Sequence, residues 1–578
     1  MLLTKITYHR RYCVNYVLSA IMLSVFYGTG WAQSLPVGTP LLEDFYRREQ
    51  LLGRLDSTVS FSIRPLTNAV IQRLNIYKPN GVVAVRDKSI YNFTTGDTLK
   101  VHILPVQWRH QINTTIPYGW NDGAMIPSAG YQTMAAAGIY MQYKFLSIQL
   151  RPEYVLAQNK AYQGYNGKSA REWSQWYVAI GNSMDKPERF GEGWYSKFLP
   201  GQSSIRLNFD PVSIGLSSEN LWWGPSLYNS LMMSNTAPGF AHLTLNTTRP
   251  VKTPIGAFEG QLIAGRLEES GYLPTPSGNP DHFDNYYRPK SDDWRYLSGL
   301  VLTYQPKWLP GLSIGFSRAF MMYSESLEGK IANYLPFFAP TSKSSYSEEQ
   351  DSALNEGEGI ARDELLNMFV RWVIPAANAE AYFEYGRNDH PWDSRDLVVQ
   401  LEHSRSYIFG FRKLTPLNWL GTDYLNVNLE VAQTEGSKTE DIRRGGPWYR
   451  HGGVRHGYTH LGQLIGAGID PGSNLQTLNF SWIREMKQLG VQFQRYVHNN
   501  DFFYRISDDM RRNWVDISMA LYGEWDYKNL LISSQLHFIK AMNYQYELEE
   551  KPEIRNYWSF DEQDKFNLQF QVGLFYQF

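Results

Sequence analysis

The chain reads as all-β: a transmembrane antiparallel β-barrel of about 18 strands with a small N-terminal helical element on the periplasmic side. Three observations lead there. Extended runs of about ten residues alternate between apolar and polar side chains, the pattern of a strand with lipid on one face and a polar lumen on the other. Aromatic residues make up 15% of the 578-residue chain, with 39 Tyr, 29 Phe and 18 Trp. That is rich for a soluble enzyme and suits a barrel whose aromatic girdles sit at both interfaces. The chain also opens with a segment that reads as an export signal.

In that segment Lys5, His9, Arg10 and Arg11 form a basic stretch, Tyr12 to Tyr27 is apolar, and Gly30-Trp31-Ala32 places small residues before Gln33. We read residues 1–32 as a cleaved signal peptide, since the run is short for a bilayer span. The only cysteine, Cys13, lies within it. A mature chain without thiols suits an oxidising periplasm and has no cysteine metal site. Lys+Arg and Asp+Glu number 55 and 56. No concentrated basic patch marks a nucleic-acid partner.

Residues 33–99 follow as a periplasmic segment. Leu41 to Leu55 has helical spacing, with Leu41, Leu42, Phe45, Leu51 and Leu52 among charged residues, and Asn68 to Tyr77 offers a second apolar face through Val70, Ile71, Leu74 and Ile76. This element is expected against the barrel mouth. Residues 100–578 carry the strands. The last is the clearest: Phe566, Leu568, Phe570, Val572, Leu574, Tyr576 and Phe578 alternate with Asn567, Gln569, Gln571, Gly573, Phe575 and Gln577, and only Phe575 breaks the polar set. A terminal aromatic on such a strand resembles the signal read by the outer-membrane assembly machinery. Upstream, Ile205, Leu207 and Phe209 alternate with Arg206, Asn208 and Asp210; Phe383 and Tyr385 alternate with Glu380, Tyr382 and Glu384; Leu425 to Val431 alternate with Asn426, Asn428 and Glu430. Tight connections at Tyr143–Leu146, Pro375–Asn378 and Asp526–Asn529 separate long polar stretches at Ser324–Arg362, Glu435–Asn474 and Asn499–Asn513. Short periplasmic turns and long outer loops are the usual barrel arrangement. The lumen of such a barrel is expected to be lined by polar groups, with arginines such as Arg206 and Arg266 pairing with acids.

The stretch densest in chemistry is Ser217-Ser218-Glu219-Asn220-Leu221-Trp222-Trp223-Gly224-Pro225. Indole faces stack on pyranose C–H surfaces, and Glu219 and Asn220 can orient hydroxyls. The bland alternative is that both tryptophans pack or sit in an interface belt. Together with Leu231-Met232-Met233-Ser234-Asn235, Ala237-Pro238-Gly239-Phe240, Gly260 to Leu267, Ser62 to Leu66, Pro117 to Gly123 and Gly457-Tyr458-Thr459-His460, this block resembles the capsule assembly protein Wzi family. The resemblance implies an outer-membrane barrel of a Gram-negative bacterium that holds capsular polysaccharide or exopolysaccharide at the cell surface as a lectin. Arg266, inside one matching block, joins the candidate ligand set.

Further candidates are Trp120, Asn121 and Asp122 in a turn, and Trp448, Tyr449 and Arg450 in a loop with Arg443 and Arg444, a set suited to stacking and ion pairing with an acidic polysaccharide. His451, His456 and His460 match no metal-ligand spacing. His242, His403 and His537 fall on strand-like runs, but nothing in the sequence pairs them with a nucleophile. Glu380 and Glu384 lie at i, i+4 of one strand, roughly 13 Å apart, too far for glycosidase carboxylates. The reading is therefore a non-enzymatic, monomeric, cofactor-free polysaccharide binder set in outer-membrane lipid. Its rivals are an open porin or passive transporter, and a barrel enzyme acting on lipid or glycan.

Overall fold

A computed structural model describes residues 33–39, 41–71, 76–77, 99–274, 279–327, 334–336, 362–388, 393–437, 439, 442–443, 446–550, 560–561 and 563–578. The signal segment, Leu74, Arg444 and most of the Ser324–Arg362 stretch lie outside them.

Eighteen antiparallel strands close into one barrel, the number read from the sequence. They are β1 (Lys100–Asn113), β2 (Gly130–Tyr143), β3 in two pieces (Leu146–Leu150, Glu153–Ala157), β4 in two pieces (Tyr195–Leu199, Ser204–Phe209), β5 (Val212–Ser217) and β6 in two pieces (His242–Thr247, Val251–Thr253). Then come β7 (Gly256–Leu267), β8 (Arg295–Pro306), β9 (Leu312–Tyr323), β10 (Arg362–Ile374), β11 (Ala379–Asn388) and β12 (Arg405–Pro416). The last are β13 (Tyr424–Gln433), β14 (Asn474–Arg484), β15 (Lys487–Val497), β16 (Val515–Tyr527), β17 (Leu530–Met542) and β18 (Lys565–Tyr576). Each pairs with its neighbour in sequence, and β18 closes on β1 with Gln569 opposite Asn113 and Tyr576 opposite Val106. Closure satisfies every edge, which a hydrocarbon surround demands.

Connections of two to seven residues at one end face connections of sixteen to forty at the other. By the usual arrangement the short-turn end is periplasmic. On β18, Phe566, Phe570 and Tyr576 face outward while Asn567 and Gln569 are buried. The exception, Phe575, is 2% exposed and packs inward on Tyr77, ring centroids 5.8 Å apart. It interrupts the polar set because it meets protein in the lumen.

That lumen is filled from both ends. At the short-turn end lies α1 (Leu42–Leu51), which carries Glu43 and Asp44 in its first turn and Arg48 in its last, as the helix dipole favours. The helix was expected against the mouth and lies within it. Arg47 Nε meets Glu380 of β11 at 2.9 Å, Arg371 of β10 meets the same carboxylate at 2.6 Å, and Asp44 meets Arg412 of β12 at 2.8 Å. These groups are charged on wall and helix alike, so each stabilises only in the other's presence. The second predicted helix is described only over Asn68–Ile71. Tyr77 beyond it donates its hydroxyl to Ser34 O at 2.9 Å.

From the other end, the β5–β6 loop descends into the lumen. Trp223, Leu231, Met232, Met233 and Phe240 form one buried cluster with Trp448, Tyr449, Tyr458 and Ile465 of the β13–β14 loop and with inward-facing Ile263, Leu297, Val301, Phe369 and Ile408. The uniformly polar lumen expected from alternation is therefore corrected at the long-loop end of β7–β14. There the inner wall is apolar because it meets loops instead of water. Two inward glycines permit the contact: a Cβ on Gly299 would lie 2.7 Å from the Trp223 ring, and one on Gly386 would lie 2.5 Å from Trp448.

Removing Glu380 leaves Arg47 and Arg371 buried without their shared counter-ion. Glu380→Ala is expected to destabilise the barrel by about 3–5 kcal/mol. Arg47→Ala leaves the Arg371 pair and is expected to cost less. Urea unfolding in detergent micelles, followed by tryptophan fluorescence, ranks the two.

Candidate functional site

The two filling segments meet in mid-lumen at the Trp-Trp block. Trp222 and Trp223 form a two-residue antiparallel ladder with Arg64 and Ile63. The Arg64 guanidinium lies over the Trp222 ring at 4.3 Å. Burial pulls Arg64 down to about 10, so it stays charged at neutral pH. Trp223 is fully buried and donates Nε1–H to Gln261 at 2.9 Å. Glu219, also fully buried, accepts from Arg206 at 2.8 Å, from Ser217 at 3.0 Å and from Ser34. Burial pushes its pKa up, but Arg206 and those hydroxyls outweigh it and hold the carboxyl below its ordinary range. Asn220 accepts from Gln202 at 2.9 Å and donates to Asn235 and to Ala237 O at 2.8 Å. In this block the side chains of Glu219, Asn220 and Trp223 have interior partners.

Trp448, Tyr449 and Arg450 are likewise buried, at 2%, 0% and 5% exposure. Tyr449 donates to Leu231 O at 2.7 Å and stacks on Tyr458, while Arg450 donates to Ala179 O. Arg443 pairs with Asp396. The Trp448–Arg450 stretch of this loop is core and not an outer face. Arg266 faces outward at the long-loop end of β7, over Trp294 at 4.9 Å and paired with Glu268 at 2.5 Å. Its expected lumen position is corrected: along β7 the inward residues are Ile263, Gly265 and Leu267, so period two turns Arg266 to the outside.

Four candidates do come together. Trp120, Asn121, Asp122 and Trp222 line one lumen cavity of about 440 Å³ with Arg109, Tyr228 and the amides of Gln488, Gln492, Gln569 and Gln571. Asp122 is held by Arg109 at 2.5 Å and by Gln111 at 3.2 Å. Asn121, at φ 59°, donates to Tyr228 O at 2.6 Å. The Trp222 Nε1–H has no partner among the described residues.

Trp120, with Tyr118 and Gly119, also lines a second cavity of about 230 Å³ at the long-loop end. Five further loops build it, the β5–β6 loop through Thr236. From the β3–β4 loop come Tyr162, Tyr165 and Trp176, the last ending α2 (Ala170–Trp176). Ser169 caps that helix by accepting from Glu172 N at 3.2 Å, and Glu172 Oε2 accepts from Lys168 N at 3.0 Å. The β15–β16 loop supplies His498, Trp514 and Phe502, which sits on α3 (Asn500–Ile506). The β17–β18 loop supplies Tyr544 and Tyr546, and the β13–β14 loop supplies Asp470. Tyr165 stacks on Trp176 at 5.9 Å and Phe502 packs on Tyr546 at 5.4 Å. His498 stacks on Trp514 at 3.7 Å while its Nε2 meets Asp516 at 2.8 Å. Tyr165 is 5% exposed, and its hydroxyl has no partner among the described residues. A wall of ring faces suits a flat, hydroxylated ligand. Sequence reasoning missed this cavity. Its local signals were the aromatic pairs Trp173/Trp176 and Tyr544/Tyr546 in loops, with nothing to join them.

The family model for the capsule assembly protein Wzi matches residues 136–546. The chain belongs to that family. As an outer-membrane β-barrel, it superposes on a solved structure from Escherichia coli described as Wzi, an outer membrane protein involved in group 1 capsule assembly and a carbohydrate binding β-barrel. The likeness covers 95% of this chain and 100% of that one, with TM-score 0.57 and 13% identity, so it bears on the fold. Acinetobacter baumannii OccAB2 aligns over 82% of this chain and 97% of its own at TM-score 0.39 and 9% identity, too distant to carry argument. No curated protein sequence matches.

Two histidines of this Wzi-family barrel report on the β13–β14 loop. His460 Nδ1 accepts Glu268 N–H at 3.0 Å and His456 Nδ1 meets the Tyr323 hydroxyl at 3.0 Å. Burial, then Arg295, pushes both imidazoles from 6.5 down to about 3. A released loop takes up protons below 6.5 and the packed loop does not, so packing is fully stable above that pH and weakens as pH falls toward 3. Hydrogen exchange of residues 454–470, corrected for intrinsic rate, is expected to rise across that window. Replacing both histidines with Gln should flatten the rise.

Proposed function

We propose that this barrel binds capsular polysaccharide or exopolysaccharide at its long-loop end and anchors it at the cell surface, acting as a monomer and without catalysis. The observation that carries the reading is the outer cavity, whose walls are ring faces brought together from several loops. The family's capsule-assembly description and the carbohydrate binding named for the Escherichia coli barrel support the same ligand class. Trp222, Trp120 and Asp122 lining the lumen cavity make it a second place for a sugar. Many weak contacts along a polymer give useful avidity even where each is weak.

The filled lumen supports this reading over the porin. The capsule-assembly description of the family and the carbohydrate binding named for the Escherichia coli barrel support a role without catalysis. The outward row Phe566, Phe570 and Tyr576 of β18 supports a surround of outer-membrane lipid.

Deleting the gene is expected to move polysaccharide from the cell-bound to the shed fraction. Complementation with the Trp514→Ala variant should restore barrel assembly, seen as heat-modifiable migration on gels, but leave retention several-fold below that given by the unaltered protein. Normal retention with that variant would remove the outer cavity from the reading. In planar bilayers the purified protein should show no porin-like conductance steps.

A further inference from the structure

The lumen cavity is backed by one sector of the barrel wall, β14 to β18 with β1. Across it the register sets inward amides side by side. Tyr522, Gln535, Gln571 and Gln111 stand opposite one another in turn on β16, β17, β18 and β1. One rung nearer the long loops come Gln492 on β15 and Gln569 on β18. Two of these amides are held by protein: Gln111 donates to Asp122 at 3.2 Å and Gln569 to Tyr118 O at 2.6 Å. Gln492, Gln535 and Gln571 are half-buried, line the cavity and have no hydrogen bond to protein among the described residues. Tyr522 turns away from them: its ring leans over Gly490, where a Cβ would lie 2.5 Å away, and its hydroxyl donates to Asn479 of β14 at 3.0 Å. Half-buried Trp120 and Tyr228 give the cavity its ring surface. The charged groups on the lining are engaged with protein: Arg109 with Asp122, Glu43 with Arg64, Asp44 with Arg412 and Arg47 with Glu380. Glu524 accepts the Leu41 N–H.

Resting on the glycan-binding reading above, we infer that this cavity is a subsite for an uncharged sugar, held by hydrogen bonds to Gln492, Gln535 and Gln571 with Trp120 and Tyr228 as its ring surface. A pyranose offers an apolar C–H face and an edge of hydroxyls, and about 440 Å³ is within the size range of small-molecule sites. Each side-chain amide carries donors and an acceptor, so it matches a hydroxyl in either sense. Water fills the same role in an empty cavity, and a sugar hydroxyl replaces it with bonds of the same kind. A charged sugar is at a disadvantage, because a charge leaving water needs a counter-ion and the ions on this lining are committed to protein partners. Tyr118, Gly119 and Trp120 line both cavities, which sets the lumen subsite next to the outer one.

Calorimetric titration of the full-length barrel in an amine-oxide detergent, which carries no sugar headgroup, tests this with maltose, lactose, mannobiose and digalacturonate. In a Trp514→Ala background, which impairs the outer cavity, a neutral disaccharide should still bind in the millimolar range, and digalacturonate about fivefold or more weaker. Adding Gln535→Met and Gln571→Met keeps side-chain length and removes the amides, and should weaken the neutral sugar about fivefold or more. Heat-modifiable migration checks that this variant assembles; if it does not, Gln571→Glu, which keeps size and polarity, should weaken the neutral sugar instead. Three results overturn the inference and leave the glycan-binding reading standing. They are neutral-sugar affinity unchanged by loss of the amides, digalacturonate bound as tightly as the neutral sugars, and binding seen in the unaltered protein but absent from the Trp514→Ala background. Failure of every sugar to bind the unaltered protein removes that reading, and the inference with it.

Discussion

Hydrocarbon offers a backbone N–H no partner, so the sheet has to close, and closure depends on β18 finding β1. Gln569 to Tyr576 pair with Asn113 to Val106, joining the last strand to the first across nearly the whole chain. The eighteen-strand ring so made encloses far more space than its own side chains fill. Much else in the molecule answers that geometric fact.

The space is filled by chain from both ends, in two kinds of chemistry. Near the short turns, α1 brings Arg47 and Asp44 to wall residues Glu380 and Arg412, so charges left over from a polar wall become buried pairs. Buried pairs contribute specificity more surely than net stability, because desolvation offsets much of their attraction. Toward the long loops the wall turns apolar, and Trp223, Met232 and Tyr449 pack on it as a globular core would. The two fillings meet where Trp222 ladders with Arg64.

This division gives the Trp-Trp block a meaning beyond sugar stacking. Trp223 is a packing residue of the lumen core, while Trp222 keeps one face on Arg64 and lines the lumen cavity. Trp120 borders both cavities, so the lumen and the outer surface share one wall. The loops that reach the outside build an aromatic chamber.

The sequence by itself determined the barrel, because period two is a property of a single strand and survives without any knowledge of its neighbours. The outward row Phe566 to Phe578 and the lumen-facing Glu380 and Glu384 were legible for that reason. Phe575 was legible as an exception but not explicable, since its partner Tyr77 arrives from the other end of the chain. Arg266 went astray by one step of the same period. Only tertiary structure decided which side chains face a ligand. Trp448 and Tyr449 look like an exposed loop until the β5–β6 loop is seen to cover them. Tyr165, Trp514 and Tyr546 become one wall only when loops hundreds of residues apart converge on it. Alternation is written locally, whereas a site made from several loops exists only after the ring has closed.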